Sequence, residues 1–187
     1  MKLIYKGKFD GNPASIPCGE HMPGAVKFKE FDDPKKMTLF ANLVAILLLF
    51  ALLSLFFLRI GSIVFSLWGY VLPLLTMFPH EFLHGLCFKK EVYLYTYFKQ
   101  GALFVVGPET MSKRRFIFLS LLPNMVFGFL PYIAAMLLPQ LINLGVFGAV
   151  CIAMGAGDYY NVFNAAMQMP KGAKTYLHQF NSYWYMP

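Results

Sequence analysis

The chain has 187 residues, 58% of them apolar and only 13% charged, whereas soluble domains run near half apolar and about a quarter charged. That imbalance excludes an ordinary soluble domain and marks a membrane protein. The net charge of +7 is not gathered into the single basic face that nucleic acid requires. It falls in short groups (Lys2, Lys6 and Lys8; Lys27 and Lys29; Lys35 and Lys36; Lys89 and Lys90; Lys113, Arg114 and Arg115; Lys171 and Lys174) that flank apolar stretches, so nucleic acid is not an expected partner.

Residues 1–37 read as a polar leader on the cytoplasmic side, broken by Pro13, Pro17, Pro23 and Pro34, with enough alternation from Lys2 to Phe9 for a short strand. It has no central apolar run, so the first apolar segment is expected to serve as an uncleaved anchor. Cys18, Cys87 and Cys151 are an odd, scattered set and offer no disulfide framework. Cys18 with His21 is a weak pair of potential metal ligands.

Residues 38–58 carry no charge and are long enough to cross a bilayer, which takes about 20 apolar residues. Residues 60–88 form a second apolar segment, longer than one crossing and interrupted by Pro73 and Pro79, each of which tends to bend a helix. It ends in Pro79-His80-Glu81-Phe82-Leu83-His84-Gly85. This is the His-Glu-x-x-His pattern of zincins. Residues four apart share a helix face, so His80 and His84 can point both imidazoles at one divalent metal, with Glu81 beside them as a base. Ionisable residues at membrane depth are functional candidates by default. The bland alternative is a pair of structural histidines at the polar end of a membrane helix.

From 89 to 115 the pattern changes. Tyr93, Tyr95 and Tyr97 alternate with Leu94, Thr96 and Phe98, residues 99–101 suit a turn, and residues 102–106 suit a return strand. The expectation is a β-hairpin after the motif helix. It serves either as a surface hairpin with an interfacial aromatic belt or as an edge that binds an extended substrate by strand addition. Residues 116–138, with Pro123, Asn124 and Pro131, read as a third span. Residues 144–167, with Asp158, read as a fourth, and a Tyr-rich tail follows. Basic residues favour the cytoplasm, which sets both termini inside. The expected fold is therefore an all-α membrane protein with about four transmembrane helices and a short β-hairpin between the second and third. Its parts are a leader (1–37), a four-span membrane domain (38–168) and a cytoplasmic tail (169–187).

A catalytic zinc has three protein ligands and a water, so two histidines do not suffice. The remaining candidates are Asp158, His178, Glu109 and Cys151. A lone carboxylate within a span is costly, and a metal would offset that cost for Asp158. At 1.5 Å per residue, Asp158 lies on the order of 6–12 Å deeper than the histidines unless the helix tilts or breaks at Gly155 or Gly157. Asn161 and Asn164 follow Asp158 at three-residue spacing. They and Asn124 could orient the carboxylate, bind substrate backbone, or hydrogen-bond between helices.

These residues, in this order, resemble the site-2-protease family of intramembrane zinc metalloproteases. The layout, the GAGDYYN segment and the YWYMP ending are also similar to a small bacterial family of zincin peptidases, the DUF3267 type. The resemblance covers about residues 38–187. It implies a three-helix core of the second, third and fourth spans in the bacterial cell membrane, Zn2+ held by His80, His84 and Asp158, Glu81 as the base, and a membrane-anchored protein or peptide as substrate. Site-2 proteases carry their aspartate in an Asn-Pro-x-Asp-Gly-like context, whereas Asp158 here stands between Gly157 and Tyr159. The expected function is a membrane-embedded zinc metalloprotease. The alternative is a non-catalytic metal-binding membrane protein: a transport or assembly factor, or a degenerate zincin. Gly155-Ala156-Gly157-Asp158 also spells the motif of intramembrane aspartyl proteases, but that chemistry needs a second aspartate and no other span holds one.

Overall fold

A computed structural model describes residues 1–31, 33–98, 101–178 and 181–187. The chain forms two compact units: Met1–Glu30, Glu81–Ser120 and Asn161–Pro187 make the first, and Phe31–His80 and Leu121–Tyr160 make the second.

Helices make up the second unit, and three of them run on along the chain into the first. Helix α1 (Pro34–Ile60) starts at Asp33, whose side chain accepts the Lys35 amide, and stops at Gly61, whose φ of 73° continues no right-handed helix. Such a left-handed residue is a common helix terminator because glycine adopts it without a Cβ clash. Helix α2 (Leu67–Leu75) is capped by Ser66, which accepts the Gly69 amide, and carries Pro73. The chain then turns at Thr76, whose hydroxyl and amide both donate to the Pro73 carbonyl, and re-enters helix as α3 (Met77–Leu86). Pro79 lies in the first turn of α3, where a missing N–H costs little because those amides have no intrahelical partner. Helix α4 (Lys113–Pro123) passes through a π-helical turn (Asn124–Phe129) into α5 (Leu130–Leu137). Helix α6 (Ile142–Met154) follows, then α7 (Ala156–Gln168), bent by 51° from α6 at Gly155. Phe56, Tyr132, Ala135, Val146, Ala149 and Ile152 form the buried core of this unit. Its glycines allow close packing: a Cβ at Gly148 would lie 2.6 Å from the Tyr132 backbone nitrogen.

The first unit holds two sheets. In one, β1 (Lys2–Lys8) pairs in parallel with β3 (Glu91–Tyr97), which pairs antiparallel with β4 (Ala102–Val106). In the other the order is β2 (Val26–Lys27), β7 (Asn181–Tyr185), β6 (Lys174–His178), β5 (Met111–Ser112). Phe9, Ile16, Tyr95 and Val106 form the core under the first sheet. Phe28, Ala165, Met169 and Ala173 form a second core.

This architecture corrects the all-α, four-span expectation. The fold is mixed α and β. Among the described residues, two helices are long and apolar enough to cross a membrane, Lys35–Ile60 and Lys113–Leu137, or up to three if the bent α6–α7 pair is one span. The apolar segment 60–88 is not a continuous span. Gly61 ends one helix, Ser66 starts another, and the Thr76 turn divides the rest, so its apolar residues are spread over short helices. The alternating stretch of the leader forms β1 as expected, and the Tyr-rich tail adds β6 and β7, where Tyr176 stands opposite Tyr183. The strands β3 and β4 do pair as their alternation predicts, and residues 99 and 100 of the expected turn lie outside the described residues.

Candidate functional site

Helix α3 sets His80, Glu81 and His84 on neighbouring positions, with one ligand atom of each within 4.8 Å of the others. It is the only such group of three among the described residues. The helix is amphipathic and His84 is buried.

Each member is held by a separate contact. His84 Nδ1 lies 2.8 Å from the Leu119 carbonyl oxygen on α4. A carbonyl can only accept, so Nδ1 carries the hydrogen and the neutral ring keeps its lone pair on Nε2. Glu81 Oε2 accepts the backbone N–H of Val105 at 2.9 Å, a residue on β4, an edge strand of its sheet. His80 Nε2 lies 3.1 Å from Asp158 Oδ2.

Asp158 sits in the first turn of α7, where the helix dipole and unpaired amides favour negative charge. The break at Gly155 creates that helix start. Asn124, almost fully buried at the head of the π-helical turn, donates from Nδ2 to Asp158 Oδ2 at 2.7 Å. Its own Oδ1 accepts from the Tyr159 hydroxyl at 3.3 Å. A Cβ on Gly155 would collide with this Asn124 amide, so glycine is required for the close approach. π-Helical turns inside longer helices recur at functional sites.

Asn124 therefore joins Asp158, as one sequence reading expected. Asn161 and Asn164 line a narrow recess with Phe28, Glu30, Phe116 and Ser182 instead. Three-residue steps fall about 60° short of a helical turn each, so Asn164 is rotated by about 120° from Asp158. Asn164 Oδ1 accepts from Gln168, while its buried Nδ2 has no partner among the described residues.

The other candidates for a third ligand have neighbours of their own. Glu109 binds Arg115 Nη1 at 2.6 Å and the amides of Lys89 and Lys90. Burial pushes its carboxyl up, but the Arg115 and amide hydrogen bonds outweigh that and hold it below the usual carboxylate range. The His178 ring packs 5.0 Å from that of His21. The buried Cys151 thiol lies 4.0 Å from the Thr76 hydroxyl.

The contacts that sequence reasoning missed are mostly backbone: the Leu119 carbonyl and the Val105 amide. No residue type signals them. The Tyr159 hydroxyl could have been suspected from its place beside Asp158.

The His80, Glu81 and His84 donors suit zinc, whereas Asp158 lies outside that group and contacts His80. Two ligand atoms, each about 2.1 Å from a tetrahedral ion, lie about 3.4 Å apart, close to the 3.1 Å between His80 Nε2 and Asp158 Oδ2. Imidazole and carboxylate suit this ion, and a histidine ligand usually gives its second nitrogen to a carbonyl or carboxylate, as His84 does. Residues 73–174 match the family model DUF3267, described as "Putative zincin peptidase". No curated protein and no solved structure matches the chain.

Proposed function

The chain belongs to the DUF3267 family, and on that premise we propose that it is a membrane-embedded zinc metallopeptidase with His80, His84 and Asp158 as the metal ligands and Glu81 as the general base. The observation that carries this reading is the His80, Glu81 and His84 cluster on one helix inside the segment the family model matches. The His80–Asp158 contact supports Asp158 as the third ligand, and the His-Glu-x-x-His spacing supports the zincin assignment of roles.

Zinc held by these residues would supply Lewis acidity toward a water molecule and a peptide carbonyl. Glu81 takes the proton of the attacking water and returns it to the departing amine. Its hydrogen bond from Val105 keeps the carboxylate oriented beforehand. Asn124 holds the Asp158 carboxylate at the His80 side, and the Leu119 carbonyl keeps the His84 tautomer that presents Nε2.

The substrate class is a peptide in extended form. In an antiparallel pair, amides facing the partner strand alternate with amides facing away. The Val105 amide reaches Glu81, so it points off the edge of β4 beside the base. An extended substrate adding to that edge would pass next to Glu81. The two long apolar helices support a membrane setting and a membrane-anchored substrate.

The test is cleavage of unfolded or membrane-anchored peptide substrates by detergent-purified protein, wild type beside Glu81→Gln, with zinc content measured on both. Cleavage by the wild type and its loss in a variant that still carries zinc is the expected result. Undiminished cleavage by Glu81→Gln overturns the mechanism.

A further inference from the structure

Helix α3 ends at Leu86, and helix ends leave carbonyls without intrahelical partners. The chain stays tightly wound for two more residues, with Cys87 N–H donating to the His84 carbonyl and Phe88 N–H to the Gly85 carbonyl. The Cys87 carbonyl is then gripped by two guanidinium nitrogens of Arg115, Nε at 2.8 Å and Nη2 at 2.5 Å. The third nitrogen, Nη1, donates to Glu109 Oε1, and Glu109 Oε2 accepts the amides of Lys89 and Lys90. One Arg–Glu pair thus holds the carbonyl and two amides of the segment leaving α3. The pair is largely shielded, with side chains 22% and 9% exposed, so it is not a solvent-screened surface bridge of the kind that contributes little.

Arg115 and Leu119 are one turn apart on α4. Leu119 takes the His84 ring and Arg115 takes the carbonyl three residues after it. From this geometry we infer that Arg115, itself fixed by Glu109, is a positioning residue for His84, holding the last turn of α3 in the register that seats the imidazole on the Leu119 carbonyl. The inference rests on His84 being a metal ligand, as proposed above. Lysine cannot replace the arginine here, because a single ammonium does not reproduce the planar fork of donors.

The experiment uses the full chain in detergent, stripped of metal. Zinc affinity is measured by competition with a chromophoric chelator, and the Co2+-loaded protein is read by its visible spectrum. Four proteins are compared: wild type, Arg115→Lys, Glu109→Gln and His84→Ala. The expected result is a zinc affinity about 10- to 100-fold weaker in Arg115→Lys, a smaller loss in Glu109→Gln, and altered Co2+ bands in both. If Arg115→Lys fails to fold, Glu109→Gln decides. If the two variants lower the metal-free unfolding midpoint yet bind zinc and Co2+ like the wild type, the pair is merely structural and the inference is overturned. If His84→Ala keeps the wild-type affinity, the ligand assignment itself fails, a result distinguishable from failure of the Arg115 role.

Discussion

The imidazole Nδ1 of His84 donates to the carbonyl oxygen of Leu119 across 2.8 Å, between residues 35 apart in the chain. The bond fixes the tautomer, and with it the nitrogen that can bind a cation. Metal should therefore bind the folded chain and not the unfolded one. At a free zinc concentration 100 times the dissociation constant, such linkage stabilises by about 2.7 kcal/mol. Zinc added to metal-free protein should raise the unfolding midpoint, and a chelator should reverse it. His84→Ala should abolish the response. A midpoint indifferent to zinc in the wild type would count against any metal site here.

Glu81→Gln keeps the shape and the ability to accept from Val105 but cannot take up a proton. Peptidase activity should fall by about 100- to 10,000-fold, the range general-base catalysis contributes. Zinc content should be unchanged, measured by elemental analysis of the purified protein.

Asp158→Ala removes a ligand candidate and leaves Asn124 and His80 without their shared acceptor. Zinc affinity should drop by more than about 100-fold, since even outer partners of a ligand are worth 10- to 100-fold. Asn124→Ala should cost about tenfold in the same titration. Equal affinity for Asp158→Ala and wild type would move the third ligand to another residue.

Gly155→Ala places a methyl group into the Asn124 amide. Overpacking of this kind costs about 1–3 kcal/mol, and relief would come by turning Asn124 away from Asp158. The variant should unfold at a lower midpoint and also bind zinc less tightly. Gly157→Ala, where a Cβ meets nothing within 4 Å, should change neither and serves as the control.

The Glu109 carboxyl is held below its ordinary value of 4.5 by its partners. A group depressed in the folded state contributes stability above its unfolded pKa, and that contribution is lost as pH falls through the folded value. The stability gap between wild type and Glu109→Gln should therefore be full above about pH 4.5 and shrink below it. Unfolding midpoints across an acid series check this, and a gap that widened in acid would contradict it.

What could be read from the chain was local. The four-residue step from His80 to His84 follows from the helical repeat, the alternation of Tyr93, Tyr95 and Tyr97 follows from the strand repeat, and the uncharged run 38–58 lies within the first long helix. Where the reading failed, composition had been taken for continuity. The segment 60–88 is mostly apolar, but Gly61, Ser66 and Thr76 decide where its helices stop and start, and hydropathy does not register a left-handed φ or a hydroxyl on a backbone amide. Asn161 and Asn164 were grouped with Asp158 by a three-residue step that drifts around the helix, while Asn124 reached it through a bend at Gly155.

The sequence by itself determined the chemistry on offer: two imidazoles and a carboxylate on one helix, a further carboxylate beyond Gly157, and enough apolar length for a membrane. Only the tertiary structure decided which atoms those groups meet, because His84, Glu81 and two nitrogens of Arg115 bond backbone atoms of Leu119, Val105 and Cys87. Every residue carries a carbonyl and nearly every one an amide, so their selection depends on how the chain folds back on itself and not on which side chains it bears.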